Sequence, residues 1–203
     1  TQKHGSEFVQ NAIDKGCIAI LVEDRDIQCS VPSIRIDNLS SYLSDLAQTF
    51  YKEAQNIKLI GVTGTNGKTS VSLFISQLLE ALNVRTGVIG TLGISHSDNK
   101  TSNTTPDIFT IYKSLQEYSK KGIEVAVIEA SSHALIQNRL SGLVFEQAIF
   151  TNLTQDHLDY HETMEQYREA KGKLFVNGKA QTVIINQDDE NHSYFLDVAK
   201  DKL

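Results

Sequence analysis

Along Met164-Glu-Gln-Tyr-Arg-Glu-Ala-Lys-Gly-Lys-Leu-Phe175, Met164, Tyr167 and Leu174 recur at helical spacing, and Lys171 falls on the same stripe. Thr163 and Gln166 have the spacing of a capping box at the start of this helix. A lysine on an inner stripe poses a chemical question. An unpaired ammonium facing a core costs several kcal/mol or gives up its proton. The ordinary alternative is a snorkelling side chain with its head in water.

A second group of residues suits phosphate chemistry. Gly61-Val-Thr-Gly-Thr-Asn-Gly-Lys-Thr69 follows an apolar strand and runs into a helix with Val71, Phe74, Leu78 and Leu82 on one stripe. Glycines in such a turn let backbone N–H groups face phosphate oxygens, and the helix N-terminus adds its dipole. Lys68 would neutralise β/γ charge and Thr69 would hold Mg²⁺. Val62 occupies the first glycine position of the strict phosphate-loop pattern, with glycines at 61 and 64 instead.

Three further features lie just past apolar strands. Glu129 ends Val125-Ala-Val-Ile128, the place of a metal-side carboxylate in a phosphate-loop enzyme; a structural Glu there needs its own partner. The segment from Ala130 to Arg139 is dense in hydrogen-bonding side chains and suits a substrate surface, although each also reads as a cap or turn residue. His157, after the strand at 148–151, suits Mg²⁺ or Mn²⁺ only if oxygen donors join it.

The elements that must position these groups alternate between strand and helix. Strands are expected at 59–63, 87–91, 124–128, 148–151 and 182–185, with helices at 67–82, 106–120 and 164–175. Continuous apolar strands between helices predict an α/β fold with a mostly parallel sheet covered on both faces. Ligands of such sheets gather at the carboxyl ends of the strands. Upstream, a helix at 6–15 stopped by Gly16, strands at 18–22 and 33–36, and a helix capped by Asp37 form a smaller α/β piece. Leu39, Tyr42, Leu43, Leu46 and Phe50 are read as its inner stripe, and a domain boundary is expected in that helix or just after it, giving 1–50 and 51–203.

With 203 residues, 40% of them hydrophobic, the chain can bury a real core. Its net charge of −6 argues against a nucleic-acid surface, so any anion site must be local. No apolar run approaches bilayer length. Cys17 and Cys29 lack metal spacing and read as free thiols of a reducing, cytoplasmic setting. The first residue is not methionine and no closing element follows Asp201-Lys202-Leu203, so the chain reads as a fragment cut at both ends.

In order and spacing, Gly-Thr-Asn-Gly-Lys-Thr69, Asn103-Thr-Thr-Pro-Asp107, Glu129-Ala-Ser-Ser-His-Ala-Leu135, Thr151-Asn-Leu-Thr-Gln-Asp-His-Leu-Asp-Tyr-His161 and the Ala170-Lys171 helix resemble the Mur ligase family. The likeness runs the length of the chain and is most specific over 151–171. It departs at Ala130, where the family's motif has an aliphatic residue such as Val. Within the family it most resembles the branch that adds the third residue of the peptidoglycan stem peptide to UDP-N-acetylmuramoyl-L-alanyl-D-glutamate.

The resemblance implies an ATP-dependent amide-bond ligase in which the γ-phosphoryl group passes to the acceptor carboxylate. A diamino acid, meso-diaminopimelate or L-lysine, then displaces phosphate from the acyl phosphate. It places ATP contacts on Gly64, Thr65, Asn66, Gly67, Lys68, Thr69 and Ser70. It places ligands of two Mg²⁺ ions on Thr69, Glu129, His157 and Lys171, the last as a carbamate formed with CO₂. Sugar-peptide contacts fall on Thr104, Thr105, Ser131, Gln137 and Arg139. Thr105 before Pro106 also reads as a helix N-cap, and Arg139 suits a carboxylate or diphosphate.

The same resemblance implies that residues 1–50 finish a uridine-nucleotide-binding domain, that 51–203 belong to the central ATP-binding domain, that the C-terminal ligase domain is absent, and that the protein is a monomer. The expected partners are the UDP-sugar dipeptide and a diamino acid. One rival reading is a folylpolyglutamate synthetase-like ligase, against which Thr104-Thr105 and the Ser-Ser-His run argue. Another is a nucleotide-dependent switch, which has no need of a lysine on an inner stripe; a third is a fragment that folds yet catalyses nothing, for want of the C-terminal domain that the resemblance implies grips the incoming amino acid.

Overall fold

A computed structural model describes residues 5–23, 27–97, 103–176 and 178–200, so the final residues 201–203 discussed above lie outside the described residues. The chain divides into two compact units, Thr1–Leu46 and Ala47–Leu203.

In the first unit a 3-10 turn, Gly5–Phe8, leads into helix α1, Val9–Asp14. Strands β1, Ile20–Val22, and β2, Ser33–Arg35, pair in parallel. The helix expected to start at Asp37 begins differently. Asn38 adopts a left-handed conformation ahead of a 3-10 turn, Leu39–Tyr42, which passes into α2, Leu43–Phe50. A 3-10 turn winds faster per residue than an α-helix, which rotates later positions off the expected stripe. Tyr42 and Phe50 are accordingly exposed, while Ser44 and Ala47 are buried. Cys17 and Cys29 are free thiols.

The second unit is the α/β layer expected from the strand–helix alternation. After a 3-10 turn at Lys52–Asn56 come β3, Lys58–Thr63; α3, Lys68–Ala81; β4, Thr86–Gly90; and β5, Gly93–Ile94. Then follow α4, Ile108–Lys120; β6, Val125–Glu129; the short α5, Ser132–Ile136; and β7, Phe145–Phe150. The short α6, Leu158–His161, precedes α7, Met164–Gly172; β8, Ala180–Ile185; and α8, His192–Lys200.

The strands form one sheet in the order β5-β4-β6-β3-β7-β8, parallel except for the β4–β5 pair. Because β3, β6 and β7 run the same way, their carboxyl ends open on one edge. Register then fixes which residues meet there. Val62 pairs with Glu129 on one side and Ile149 on the other, which brings the turn after Thr63 between Glu129 and the end of β7.

Ile60, Val62, Val125 and Val127 form a core layer under α3. Val71, Ile75 and Leu79 of that helix pack on it, whereas Phe74, Leu78 and Leu82 of the expected stripe are 62%, 66% and 72% exposed. Both sets recur at helical spacing, so periodicity alone did not choose between them. At the helix start Thr69 meets Glu129. Each aliphatic side chain fully buried in this layer contributes about 1.5–3 kcal/mol.

Helix α4 starts at Ile108 rather than Pro106. Its cap is Asp107, whose Oδ1 accepts from the Thr110 N–H at 3.1 Å and whose Oδ2 accepts from the Thr110 hydroxyl at 2.6 Å. A carboxylate two residues nearer the helix displaces Thr105 from that role and leaves it free for the sheet edge. Helix α7 ends at Gly172, short of the expected 175. The Thr163 side chain caps it by accepting from the Gln166 N–H at 3.2 Å.

Candidate active site

Gly64 opens the loop after β3 with φ +148, and a Cβ there would stand 1.9 Å from Thr151 Oγ1. Only glycine fits both the backbone and the space. The loop is braced by the end of β7. The Asn66 N–H donates to Asn152 Oδ1 at 3.0 Å, and the Asn66 carbonyl accepts from the Thr151 hydroxyl at 2.7 Å and from Asn152 Nδ2 at 3.1 Å. The Thr65 hydroxyl donates to the Thr154 carbonyl at 3.1 Å. Gly67, left-handed at φ 84, passes the chain into α3, so Lys68 and Thr69 form the first turn of the helix and Ser70 follows them.

Two lysines converge on this loop. Lys68 Nζ donates to the carbonyls of Gly64 and Thr65, each at 2.8 Å. Lys171 Nζ donates to the same Gly64 carbonyl at 2.8 Å and lies 4.2 Å from the centroid of the Tyr167 ring. The inner-stripe placement of Lys171 holds: the residue is 1% exposed, with Tyr167 and Leu174 buried beside it. Burial first, and then the neighbouring Lys68 charge, lower the Lys171 pKa to about 7, while Asp156 pulls it back up. Burial likewise lowers the Lys68 pKa, against the opposing charges of Glu129 and Asp156. A substantial fraction of Lys171 is therefore a neutral amine near neutral pH.

Glu129, also 1% exposed, accepts three hydrogen bonds. Its Oε2 takes the hydroxyls of Thr69 at 3.0 Å and Thr91 at 2.9 Å, and its Oε1 takes the Thr91 N–H at 3.0 Å. Gly90 makes room for it, since a Cβ at that position would lie 2.0 Å from Glu129 Oε1. Gly90→Ala is therefore expected to cost about 1–3 kcal/mol of stability or to turn the carboxylate away. Denaturant unfolding of the variant measures the first outcome, and divalent-cation binding measures the second.

The expected acceptor residues form a connected group. The Thr105 hydroxyl lies 2.6 Å from the Glu129 carbonyl and 3.0 Å from Ser131 Oγ, and it accepts from the Ser131 N–H at 3.1 Å. Arg139 donates through Nη1 to the Thr105 carbonyl at 2.6 Å, and through Nε and Nη2 to Gln137 Oε1 at 3.0 and 2.6 Å. Gln137 Nε2 in turn donates to the Tyr160 hydroxyl at 3.2 Å. Thr104 joins from the other side, with its hydroxyl 3.1 Å from that of Thr91.

His157 immediately precedes α6. It is left-handed at φ 52, its Nε2 lies 3.6 Å from Asp156 Oδ2, and its ring meets those of His133 and Tyr167 at 5.0 and 6.1 Å. Tyr167 is thus the ring that His157 and Lys171 share. Buried His161 holds Ser132 Oγ at 2.9 Å, and its pKa is lowered by burial and by the neighbouring His133 and Lys171. Among the described residues no group of three or more His, Cys, Asp or Glu is placed to hold a metal ion. The hard oxygens of Thr69 and Glu129, 3.0 Å apart beside the loop, do fit the chemistry of Mg²⁺.

Thr91, Thr151, Asn152 and Asp156 had no expected role. Each follows a strand or lies in the run after one, so a search of every strand's carboxyl end would have raised Thr91 and Thr151. Asn152 and Asp156 are recognised only by their contacts.

The Mur ligase middle domain matches residues 62–203. The UDP-N-acetylmuramoyl-L-alanyl-D-glutamate–2,6-diaminopimelate ligase of Coxiella burnetii is 41% identical over 195 residues, covering 93% of this chain and 40% of its own. The enzyme of the same name from Buchnera aphidicola is 39% identical, covering 100% of this chain and 43% of its own. The chain thus spans about two fifths of the length of the curated relatives it matches. A solved structure of a ligase of that name superposes with a TM-score of 0.82 at 33% identity, over 97% of this chain and 40% of the other. A Mycobacterium tuberculosis folylpolyglutamate synthase complexed with ADP shares the fold at 18% identity and a TM-score of 0.59, over 81% of this chain and 44% of the other.

Proposed function

The chain belongs to the Mur ligase family, and on that footing we propose that it carries the phosphoryl-transfer site of an ATP-dependent amide-bond ligase. The acceptor is UDP-N-acetylmuramoyl-L-alanyl-D-glutamate, and the incoming amino acid is meso-diaminopimelate. The names of the relatives favour diaminopimelate over lysine. Residues 51–203 serve as the ATP-binding domain and 1–50 as the end of a uridine-nucleotide-binding domain. The free thiols of Cys17 and Cys29 accord with a cytoplasmic enzyme.

The observation that carries the reading is the convergence of Lys68 and buried Lys171 on the Gly64 carbonyl, next to the Thr69–Glu129 pair. The loop N–H groups and Lys68 bind the triphosphate and neutralise charge on its outer phosphates. Thr104, Thr105, Ser131, Gln137 and Arg139 orient the acceptor so that its carboxylate oxygen lies in line with the γ-phosphorus. That oxygen forms a bond to phosphorus as the bond to the ADP oxygen breaks. The amine of the amino acid then adds to the acyl carbon, and phosphate departs.

Thr69, Glu129, His157 and Lys171 are the residues to hold two Mg²⁺ ions, whose charge offsets the repulsion between carboxylate and triphosphate. Lys171 contributes as a carbamate: neutral Nζ forms a bond to the carbon of CO₂ and releases one proton. Its buried position and lowered pKa support this role.

Trapping with hydroxylamine tests the proposal. With ATP, Mg²⁺ and the UDP-sugar dipeptide, the expected product is the acceptor hydroxamate, formed without any amino acid. ATP hydrolysis that proceeds equally without acceptor, with no hydroxamate, points instead to a nucleotide-dependent switch.

A further inference from the structure

Thr91 directly follows β4 and touches Glu129 twice, through its N–H to Oε1 at 3.0 Å and through its hydroxyl to Oε2 at 2.9 Å. The same hydroxyl lies 3.1 Å from Thr104 Oγ1. A hydroxyl has one hydrogen and a carboxylate only accepts, so the Thr91 proton is committed to Glu129. Thr104 Oγ1, toward which the same hydroxyl is also aimed, is the weaker of its two acceptors. The Thr91 hydroxyl thus stands between the Glu129 carboxylate and Thr104 Oγ1.

Gripping both oxygens from one residue fixes the plane of the carboxylate. Gly90, whose missing Cβ leaves space beside Oε1, permits the close approach. We infer that Thr91 is a positioning residue that orients Glu129 for a divalent cation. This rests on the proposed cation role of Glu129.

The test is Mn²⁺ titration, followed by electron paramagnetic resonance, in the presence of a non-hydrolysable ATP analogue. Thr91→Val, which keeps the shape and the N–H but loses the hydroxyl, should weaken Mn²⁺ binding by about tenfold. Thr91→Ser should restore it to within about threefold. Metal-free binding of the analogue and the thermal midpoint should stay at wild-type values in both variants. Wild-type Mn²⁺ affinity in Thr91→Val overturns the inference while leaving the proposed function intact. Failure of the wild-type chain to take up Mn²⁺ with nucleotide overturns both. If Thr91→Val does not fold, Thr91→Ala against Thr91→Ser makes the same comparison.

Discussion

Replacing Lys68 with alanine is expected to cut acyl-phosphate formation by about 10²–10³-fold and to weaken triphosphate binding by about 10–100-fold. In the folded chain this ammonium is held by the Gly64 and Thr65 carbonyls, within reach of the loop it serves. Removing it takes away the cation that offsets charge at the outer phosphates. The loss should therefore be larger for a triphosphate than for a diphosphate. A second consequence follows from Lys171, whose pKa is lowered in part by Lys68. Without that charge Lys171 holds its proton more tightly, so CO₂ capture should shift to higher pH. Lys68→Arg should not rescue, because a planar guanidinium does not reproduce a point charge at two carbonyls. Equilibrium titration with ATP and ADP, beside hydroxamate trapping, checks each part; full activity in the alanine variant would mean that the loop does not bind phosphate.

The second large effect concerns CO₂. Stripping it from the buffer is expected to lower acyl-phosphate formation severalfold or more, and added bicarbonate to restore it. Only the neutral amine reacts, and a lowered pKa makes it available. With the Lys171 pKa at about 7, the neutral fraction is roughly a tenth at pH 6 and roughly nine tenths at pH 8. At constant dissolved CO₂, carbamate should therefore rise with pH across this window, the direction set by a base that must lose a proton before it reacts. Carbon NMR of protein equilibrated with ¹³C-bicarbonate reads the adduct directly. Lys171→Arg should show no such signal and no response to bicarbonate. Equal turnover with and without CO₂ would make Lys171 an ordinary buried lysine.

Much of this architecture was legible in the chain because its signals are local. Apolar runs at 59–63 and 124–128 could only be buried strands, and the glycine-rich turn between strand and helix placed the loop. Lys171 was legible for the same reason, since three apolar neighbours at helical spacing fixed its face. What failed were choices between equivalent local patterns. Helix α3 is apolar on two sides, and only its packing on the sheet shows that Val71, Ile75 and Leu79 turn inward. Thr105 and Asp107 both suit an N-cap, and the carboxylate wins because it bonds both the N–H and the hydroxyl of Thr110.

The connections among site residues were less legible still. Nothing in the order of residues says that Lys68 and Lys171 share one carbonyl oxygen, or that Thr91 grips both oxygens of Glu129. Those contacts depend on strand register, which brings Glu129 beside Val62 and the end of β7 beside Thr63. The resemblance pointed to the loop at 64–70 and to the helix of Lys171 but supplied no distances. The contacts of the His157 imidazole with the rings of His133 and Tyr167 were not legible in the sequence either.

Anomalous diffraction from crystals grown with Mn²⁺, a non-hydrolysable ATP analogue and bicarbonate measures the cation sites themselves. The expected map has one peak bounded by Thr69 and Glu129, and a second contacted by His157 and a carbamylated Lys171. Bound nucleotide with no anomalous density among these four side chains would contradict the account.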